Sequence, residues 1–263
     1  MQESDLSLLV TAARKAGTIA TSYFGQSPKV TDKPDGAGPV TEADLAVDRM
    51  LGDFLRDKRP DYGWLSEESP DSAARLGTER QFVIDPIDGT RAFIDGTKDW
   101  SHSLALVEDG QVIAAAVYLP LHDLMFTAMA GGGAKVNDRA IRVSQAGLDR
   151  ATVLGSKPNF APHHWKDATL PPFKQAFRSS LAYRLCLVAQ GRFDAMLTLR
   201  PSWEWDIAAG ALIVAEAKGM VTDQTGTALQ FNNPHPQVPG VIAAGHDLHA
   251  SLAARLEPAQ PKL

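Results

Sequence analysis

The sequence predicts a mixed α+β chain, with an antiparallel sheet in the first half and an α/β alternation around a mixed sheet in the second. Three observations lead there. Helical periodicity fills most of the chain up to Leu55, short extended runs with hairpin signals fill Tyr62 to Ile141, and strands alternate with helices from Ala151 onward.

From Asp5 to Phe24, Leu6, Leu9, Ala13, Ala16, Ala20 and Phe24 recur at steps of three and four, the pattern of an amphipathic helix. Residues Gly25 to Pro39, rich in Gly, Pro, Lys and Asp, read as an exposed, mobile loop. Thr41 can cap a second helix running through Leu45, Val47, Met50, Leu51, Phe54 and Leu55. Strands follow at Tyr62 to Leu65, Gln81 to Ile84, His102 to Val107, Val112 to Leu119 and Leu124 to Ala130. Glu108-Asp109-Gly110 and Asn137-Asp138 are hairpin turns.

Beyond Ala151 the segments are strand Thr152 to Gly155, helix Leu181 to Gln190, strand Phe193 to Leu199 and helix Asp206 to Lys218. Strands Met220 to Thr222 and Val238 to Ala244 and a helix from His246 complete the chain. A boundary near residue 145 separates a 1–145 half from a 146–263 half, packed as one unit because no linker intervenes.

The 263 residues carry a net charge of −5, with 44% hydrophobic and 22% charged residues, an ordinary globular composition. An acidic chain without a Lys/Arg block argues against a nucleic-acid polymer as partner. There is no basic-then-apolar leader and no long apolar run, so neither export nor membrane insertion is expected. The single cysteine, Cys186, sits in an apolar run and reads as a buried, reduced thiol; a cytoplasmic setting follows.

The chemistry concentrates where the strand Phe82-Val83-Ile84 runs into Asp85-Pro86-Ile87-Asp88-Gly89-Thr90. Pro86 lacks an N–H and should end the pairing, leaving Asp85 and Asp88 to converge across a tight turn. Two carboxylates so placed repel unless a cation sits between them. With the Ile87 carbonyl they offer the hard oxygen donors that suit Mg²⁺. Gly89 and Thr90 open a short helix whose free N–H groups attract an anion such as phosphate. Taken alone, an Asp-x-x-Asp-Gly segment is more often a pair of helix caps. Glu67-Glu68, Asp44 and Asp206 each have an equally plain alternative as a solvated face, a capping box and an N-cap. Their joint occurrence asks for another account.

The segments Gly38-Pro39-Val40-Thr41-Glu42-Ala43-Asp44, Ser66-Glu67-Glu68-Ser69, Asp85-Pro86-Ile87-Asp88-Gly89-Thr90 and Trp205-Asp206-Ile207-Ala208-Ala209-Gly210, in this order, resemble the inositol monophosphatase family. That family includes 3′(2′),5′-bisphosphate nucleotidases and some histidinol phosphatases. The resemblance implies a layered αβαβα fold and a phosphomonoesterase using two or three Mg²⁺ ions held by Glu67, Asp85, the Ile87 carbonyl, Asp88 and Asp206. It implies that Thr90, hydrogen-bonded to Asp44, positions the attacking water near Glu67, and that Asp88 and the Gly89 and Thr90 N–H groups bind the phosphate. Lithium sensitivity and a homodimer are further family expectations. The loop Lys33-Pro34-Asp35-Gly36-Ala37-Gly38 is one residue longer than the family's usual form and lacks its serine, so Lys33 and Asp35 receive no role.

The expected substrate is a small phosphate ester. The Ser179-Ser180-Leu181 stretch and Glu204-Trp205-Asp206 resemble the bisphosphate nucleotidases, which makes adenosine 3′,5′-bisphosphate, hydrolysed to AMP and phosphate, the first expectation. Tyr183, Arg184 and Arg200 are the candidates to bind its base and second phosphate. Each has a plain alternative, a packed tyrosine and surface arginines. An inositol-1-monophosphatase, a histidinol phosphatase and a non-catalytic metal- or phosphate-binding protein are the other readings. No P-loop, His-Glu-x-x-His or Gly-x-Ser-x-Gly motif is present.

Overall fold

The computed structural model describes residues 4–33 and 38–258. Ser4 caps α1 (Asp5–Tyr23) by accepting from the Ser7 N–H. The segment read as a mobile loop is instead a hairpin in part, with β1 (Val30–Asp32) antiparallel to β2 (Pro39–Thr41). The Thr41 hydroxyl then caps α2 (Glu42–Lys58), and Asp44 reaches back to the Thr41 N–H to complete a capping box.

Seven strands form the first sheet in chain order: β3 (Gly63–Ser66), β4 (Arg80–Asp88), β5 (Ser101–Glu108), β6 (Gln111–Leu119), β7 (Leu124–Met129), β8 (Gly133–Val136) and β9 (Arg139–Ala140). The short helix α3 (Thr90–Ile94) lies between β4 and β5. Both anticipated hairpin turns are present, and their central residues Asp109, Gly110, Asn137 and Asp138 all have positive φ. The sheet is antiparallel except at β3, which pairs parallel with β4. Parallel pairing needs a crossover, and residues 67–79, with a 3₁₀ turn at Ala73–Gly77, supply it.

The second sheet is mixed. Its strands β10 (Thr152–Leu154), β11 (Lys174–Ala176), β12 (Ala195–Thr198), β14 (Met220–Thr222) and β16 (Val241–Ala244) lie in the order β11-β10-β12-β16-β14. The run read as one strand from Val238 to Ala244 is broken at Pro239-Gly240, where Gly240 has φ +78°. Its first part, β15 (Gln237–Val238), pairs instead with β13 (Ser202–Trp203). The helices of this half are α4 (Leu181–Ala189), α5 (Glu204–Glu216) and α6 (His246–Ala253).

Side-chain alternation along β4 stacks these elements into five layers. Phe82 and Ile84 pack with Leu8, Leu9, Val47 and Leu51 of α1 and α2. Val83, pointing the other way, packs with residues of α4 and α5. Those two helices are covered in turn by the second sheet, whose far face packs on Leu248 and Leu252 of α6. The resulting αβαβα order places α4 and α5 centrally, which explains why nearly all their residues are apolar. Gly210 allows their close approach, since a Cβ there would lie 2.6 Å from the Leu185 side chain. Cys186 is buried in this layer. Among the described residues no helix is long and apolar enough to cross a membrane.

Candidate active site

The site lies where one end of the first sheet meets the N-termini of α4 and α5. Pro86 does not end β4 as the sequence suggested; the strand continues to Asp88 through a bulge. Asp85 pairs with Ser103 and Asp88 with Ser101, so three steps along β4 match two along β5. In a regular strand, residues three apart face opposite ways. The extra residue restores parity, and both aspartates face the α4–α5 layer. The Pro86 carbonyl turns away to the buried His102 Nδ1. That imidazole is held near pKa 4 by burial, so it is neutral at pH 7.

Glu67 follows β3, and its N–H donates to the Ile84 carbonyl at 3.2 Å, extending the ladder beside Asp85. Asp206 is the third residue of α5, past the Trp203 cap, and so is not itself the cap. One carboxylate oxygen each from Glu67, Asp85 and Asp206 lie within 4.8 Å of one another. Asp85 is buried, and its Oδ1 has no hydrogen-bond partner among the described residues. Burial, and then the charges of Glu67, Asp88 and Asp206, hold its pKa well above the carboxylate range. Burial and the charges of Asp88 and Glu67 do the same to Asp206, opposed by Arg200. An oxygen-only cluster with an orphaned buried acceptor and mutual repulsion fits a divalent cation.

Asp88 is differently engaged. Its oxygens accept from the Ser180 hydroxyl at 2.6 Å and from the Ala182 and Leu181 N–H groups at 2.6 and 3.2 Å, at the N-terminus of α4. Burial nonetheless pushes its pKa to about 6, and its charge acts on Asp85 and Asp206. Asp88 thus stands next to the Glu67, Asp85 and Asp206 group while anchored to the N-terminus of α4.

Thr90 donates its hydroxyl proton to Asp44 Oδ1 and to the Ile87 carbonyl, both at 3.1 Å. Asp44 thus serves at once as helix cap and as partner to Thr90; burial raises its pKa. Gly89, the N-cap of α3, has φ +99° and no side chain to occupy the N–H groups that follow. A Cβ there would lie 3.2 Å from the Asp99 carbonyl. Gly89→Ala is expected to cost about 1–3 kcal/mol, read by urea unfolding, because strain and crowding add.

Lys33 joins the site from the hairpin, its Nζ 2.7 Å from both Glu67 Oε1 and Glu68 Oε1. Burial disfavours its ammonium, but the two glutamates outweigh that and raise its pKa. Asp35 lies outside the described residues.

The specificity candidates Tyr183, Arg184 and Arg200 have different surroundings. Tyr183 is buried against His122, with ring centroids 5.8 Å apart. Arg184 stacks on Phe177 at 4.6 Å and donates to the Arg178 and Ser179 carbonyls, so it fastens the turn before α4. Arg200 is exposed near Asp206.

Sequence reasoning missed the anchor of Asp206. Glu204, fully buried, accepts from the Asn232 N–H and from both the N–H and Nδ2 of Asn233. Arg75, also buried, bonds Asp71, the Asn232 side chain and the Asn233 carbonyl. Two residues along a helix are about 200° apart, so holding Glu204 on Asn232 and Asn233 turns Asp206 to the opposite side, toward Asp85. No local signal reveals this, since Arg75 and Asn232 are 157 positions apart.

The family model described as the inositol monophosphatase family matches residues 1–260. An inositol-1-monophosphatase of Rhizobium meliloti is 32% identical, covering 95% of this chain and 94% of that protein. A Nus factor SuhB of Pasteurella multocida is 32% identical over 96% of both. Among solved structures, the IMPase of Thermotoga maritima superposes with TM-score 0.81 at 32% identity, covering 93% of each chain. The suppressor protein SuhB of Bartonella henselae gives 0.81 at 30%, covering 94% of this chain and 96% of that one.

Proposed function

The chain belongs to the inositol monophosphatase family, whose members are phosphatases acting on phosphate monoesters, and from that premise we propose that it is a Mg²⁺-dependent hydrolase of inositol 1-phosphate or a close polyol phosphate. The observation that carries the reaction class is the cluster of Glu67, Asp85 and Asp206 beside the Asp44–Thr90 pair.

Glu67, Asp85 and Asp206 would hold the cation, with Asp88 and the Ile87 carbonyl at its border. When bound, Mg²⁺ neutralises phosphoryl charge and makes a water more acidic. The chain's own residues do the rest. Thr90 has its proton committed to Asp44 and Ile87, so its oxygen is left to accept from a water and orient it, with Glu67 as second acceptor. Desolvation of Asp44 makes that carboxylate a stronger base, which strengthens its hold on Thr90. The Gly89 and Thr90 N–H groups, at the start of α3, would hold the phosphate.

The relatives' names support the alternative substrate better than the first expectation, a bisphosphate nucleotide. The Rhizobium meliloti and Pasteurella multocida relatives carry inositol-1-monophosphatase and SuhB names. The motifs that suggested a nucleotidase have structural work here: Ser180 binds Asp88, Glu204 binds Asn232 and Asn233, and Arg184 binds backbone carbonyls. Arg200 alone still favours a substrate with a second anion. The expected absence of a nucleic-acid partner rested on net charge, and the SuhB names make a direct binding measurement the proper test of it.

Phosphate release from inositol 1-phosphate, adenosine 3′,5′-bisphosphate and histidinol phosphate, with and without Mg²⁺, tests the reading. Inositol 1-phosphate is expected to lead in kcat/KM by about tenfold or more, about 1.4 kcal/mol of discrimination. A lead of that size for the bisphosphate that disappears in Arg200→Ala would establish the second reading instead.

A further inference from the structure

Glu67 and Glu68 form a two-residue step between Ser66 and Ser69. Both serine hydroxyls donate to one carboxylate: Ser66 to Asp48 Oδ1 and Ser69 to Asp48 Oδ2, each at 2.6 Å. Asp48 is buried on α2, one helical turn beyond Asp44. Alternation at the end of β3 explains the arrangement. Leu65 packs in the α4–α5 core, Ser66 turns to α2, and Glu67 turns back toward Asp85 and Asp206. Trp64 closes the step by donating from Nε1 to the Ser69 hydroxyl at 3.3 Å.

We propose that Asp48 is a positioning residue for cation binding: by holding Ser66 and Ser69 on its two oxygens, it fixes the backbone on both sides of Glu67 and so sets where the Glu67 carboxylate stands relative to Asp85 and Asp206. Three mutually repelling carboxylates separate unless their backbones are held. The β4 bulge holds Asp85, Glu204 holds Asp206, and Asp48 does this for Glu67. One turn of α2 therefore organises both the Thr90 side of the site, through Asp44, and the Glu67 side, through Asp48. The inference rests on the reading of Glu67 as a cation ligand.

Calorimetric titration of the full-length protein with Mg²⁺ tests it, with thermal unfolding of each variant in chelator as a check on folding. Ser66→Ala/Ser69→Ala and Asp48→Asn are each expected to weaken Mg²⁺ binding about tenfold, the usual scale for groups that orient a metal ligand. The triple variant should be no weaker than either, because all three remove one device. Ser69→Thr, which keeps the hydroxyl, should bind as wild type does. The alanine pair tests the idea even if Asp48→Asn fails to fold. If Glu67→Gln weakens binding while the serine pair binds within twofold of wild type, the positioning role is overturned and the site stands. If Glu67→Gln leaves binding unchanged, the cation reading of Glu67 falls, and the proposal with it.

Discussion

Asp85→Asn should lower turnover by about a thousandfold and, in the absence of divalent cation, leave the protein more stable than wild type. Both effects have one cause. Asp85 is buried with Oδ1 unpartnered among the described residues, and Glu67, Asp88 and Asp206 crowd it with like charge. An asparagine of the same shape removes one of the repelling charges and brings an N–H₂ that can donate to the remaining carboxylates. A gain of about 1–3 kcal/mol in chelator is the expected scale for relieving one uncompensated buried group. For a chain of this size that raises the melting temperature by roughly 2–10 °C. The same change removes a hard anionic donor from the cation site, and the loss of electrostatic stabilisation reaches the chemical step in full. Scanning calorimetry in EDTA and steady-state kinetics at saturating Mg²⁺ read the two effects separately. Near-normal turnover would remove Asp85 from the cation site, and a lowered melting temperature in EDTA would refute the account of the cluster as a strained group.

The second large effect is on stability as a function of pH. Burial raises Asp88 to about 6 and Glu68 to about 7, and it holds Asp85 and Asp206 well above their ordinary range. In the unfolded chain these groups titrate near 4. A carboxyl that binds its proton more tightly when folded stabilises the fold below the unfolded pKa and loses that contribution as pH rises through the folded value. Metal-free protein should therefore weaken steadily from about pH 4 to about pH 8, with Asp88 alone contributing about 2 kcal/mol to the decline. Mg²⁺ favours the charged carboxylates, so its stabilisation should grow over the same interval. Melting temperatures at stepped pH, with EDTA and with Mg²⁺, check this. A flat profile in EDTA, or an equal decline with saturating Mg²⁺, would show that these carboxylates do not form a cation-dependent cluster.

Much of the architecture was legible in the residues. The spacing of Leu9, Ala13, Ala16 and Ala20 specifies α1, and the positive-φ residues Asp109, Gly110, Asn137 and Asp138 specify two hairpins. Both are local, decided by residues within a few positions of one another. Other local readings failed where a partner strand or side chain intervened. Pro86 looked like the end of a strand, but pairing resumes at Asp88 opposite Ser101, with His102 taking the Pro86 carbonyl. The Gly25 to Pro39 stretch looked like a loop, yet Val30–Asp32 finds a partner in Pro39–Thr41.

The sequence by itself determined the chemistry available to this protein: which carboxylates it carries, that they close strands or open helices, and that a Gly-Thr step follows two of them. Only the tertiary structure decided how those groups are divided among tasks. Asp88 reaches the N-terminus of α4 across 92 residues, Asp48 grips Ser66 and Ser69 across 18 and 21, and Arg75 secures the anchor of Asp206 across 157. A carboxylate has the same spelling whether it accepts from a hydroxyl, a helix N-terminus or a cation. Its role depends on which donors the packed layers bring to it, and chain spacing does not record that.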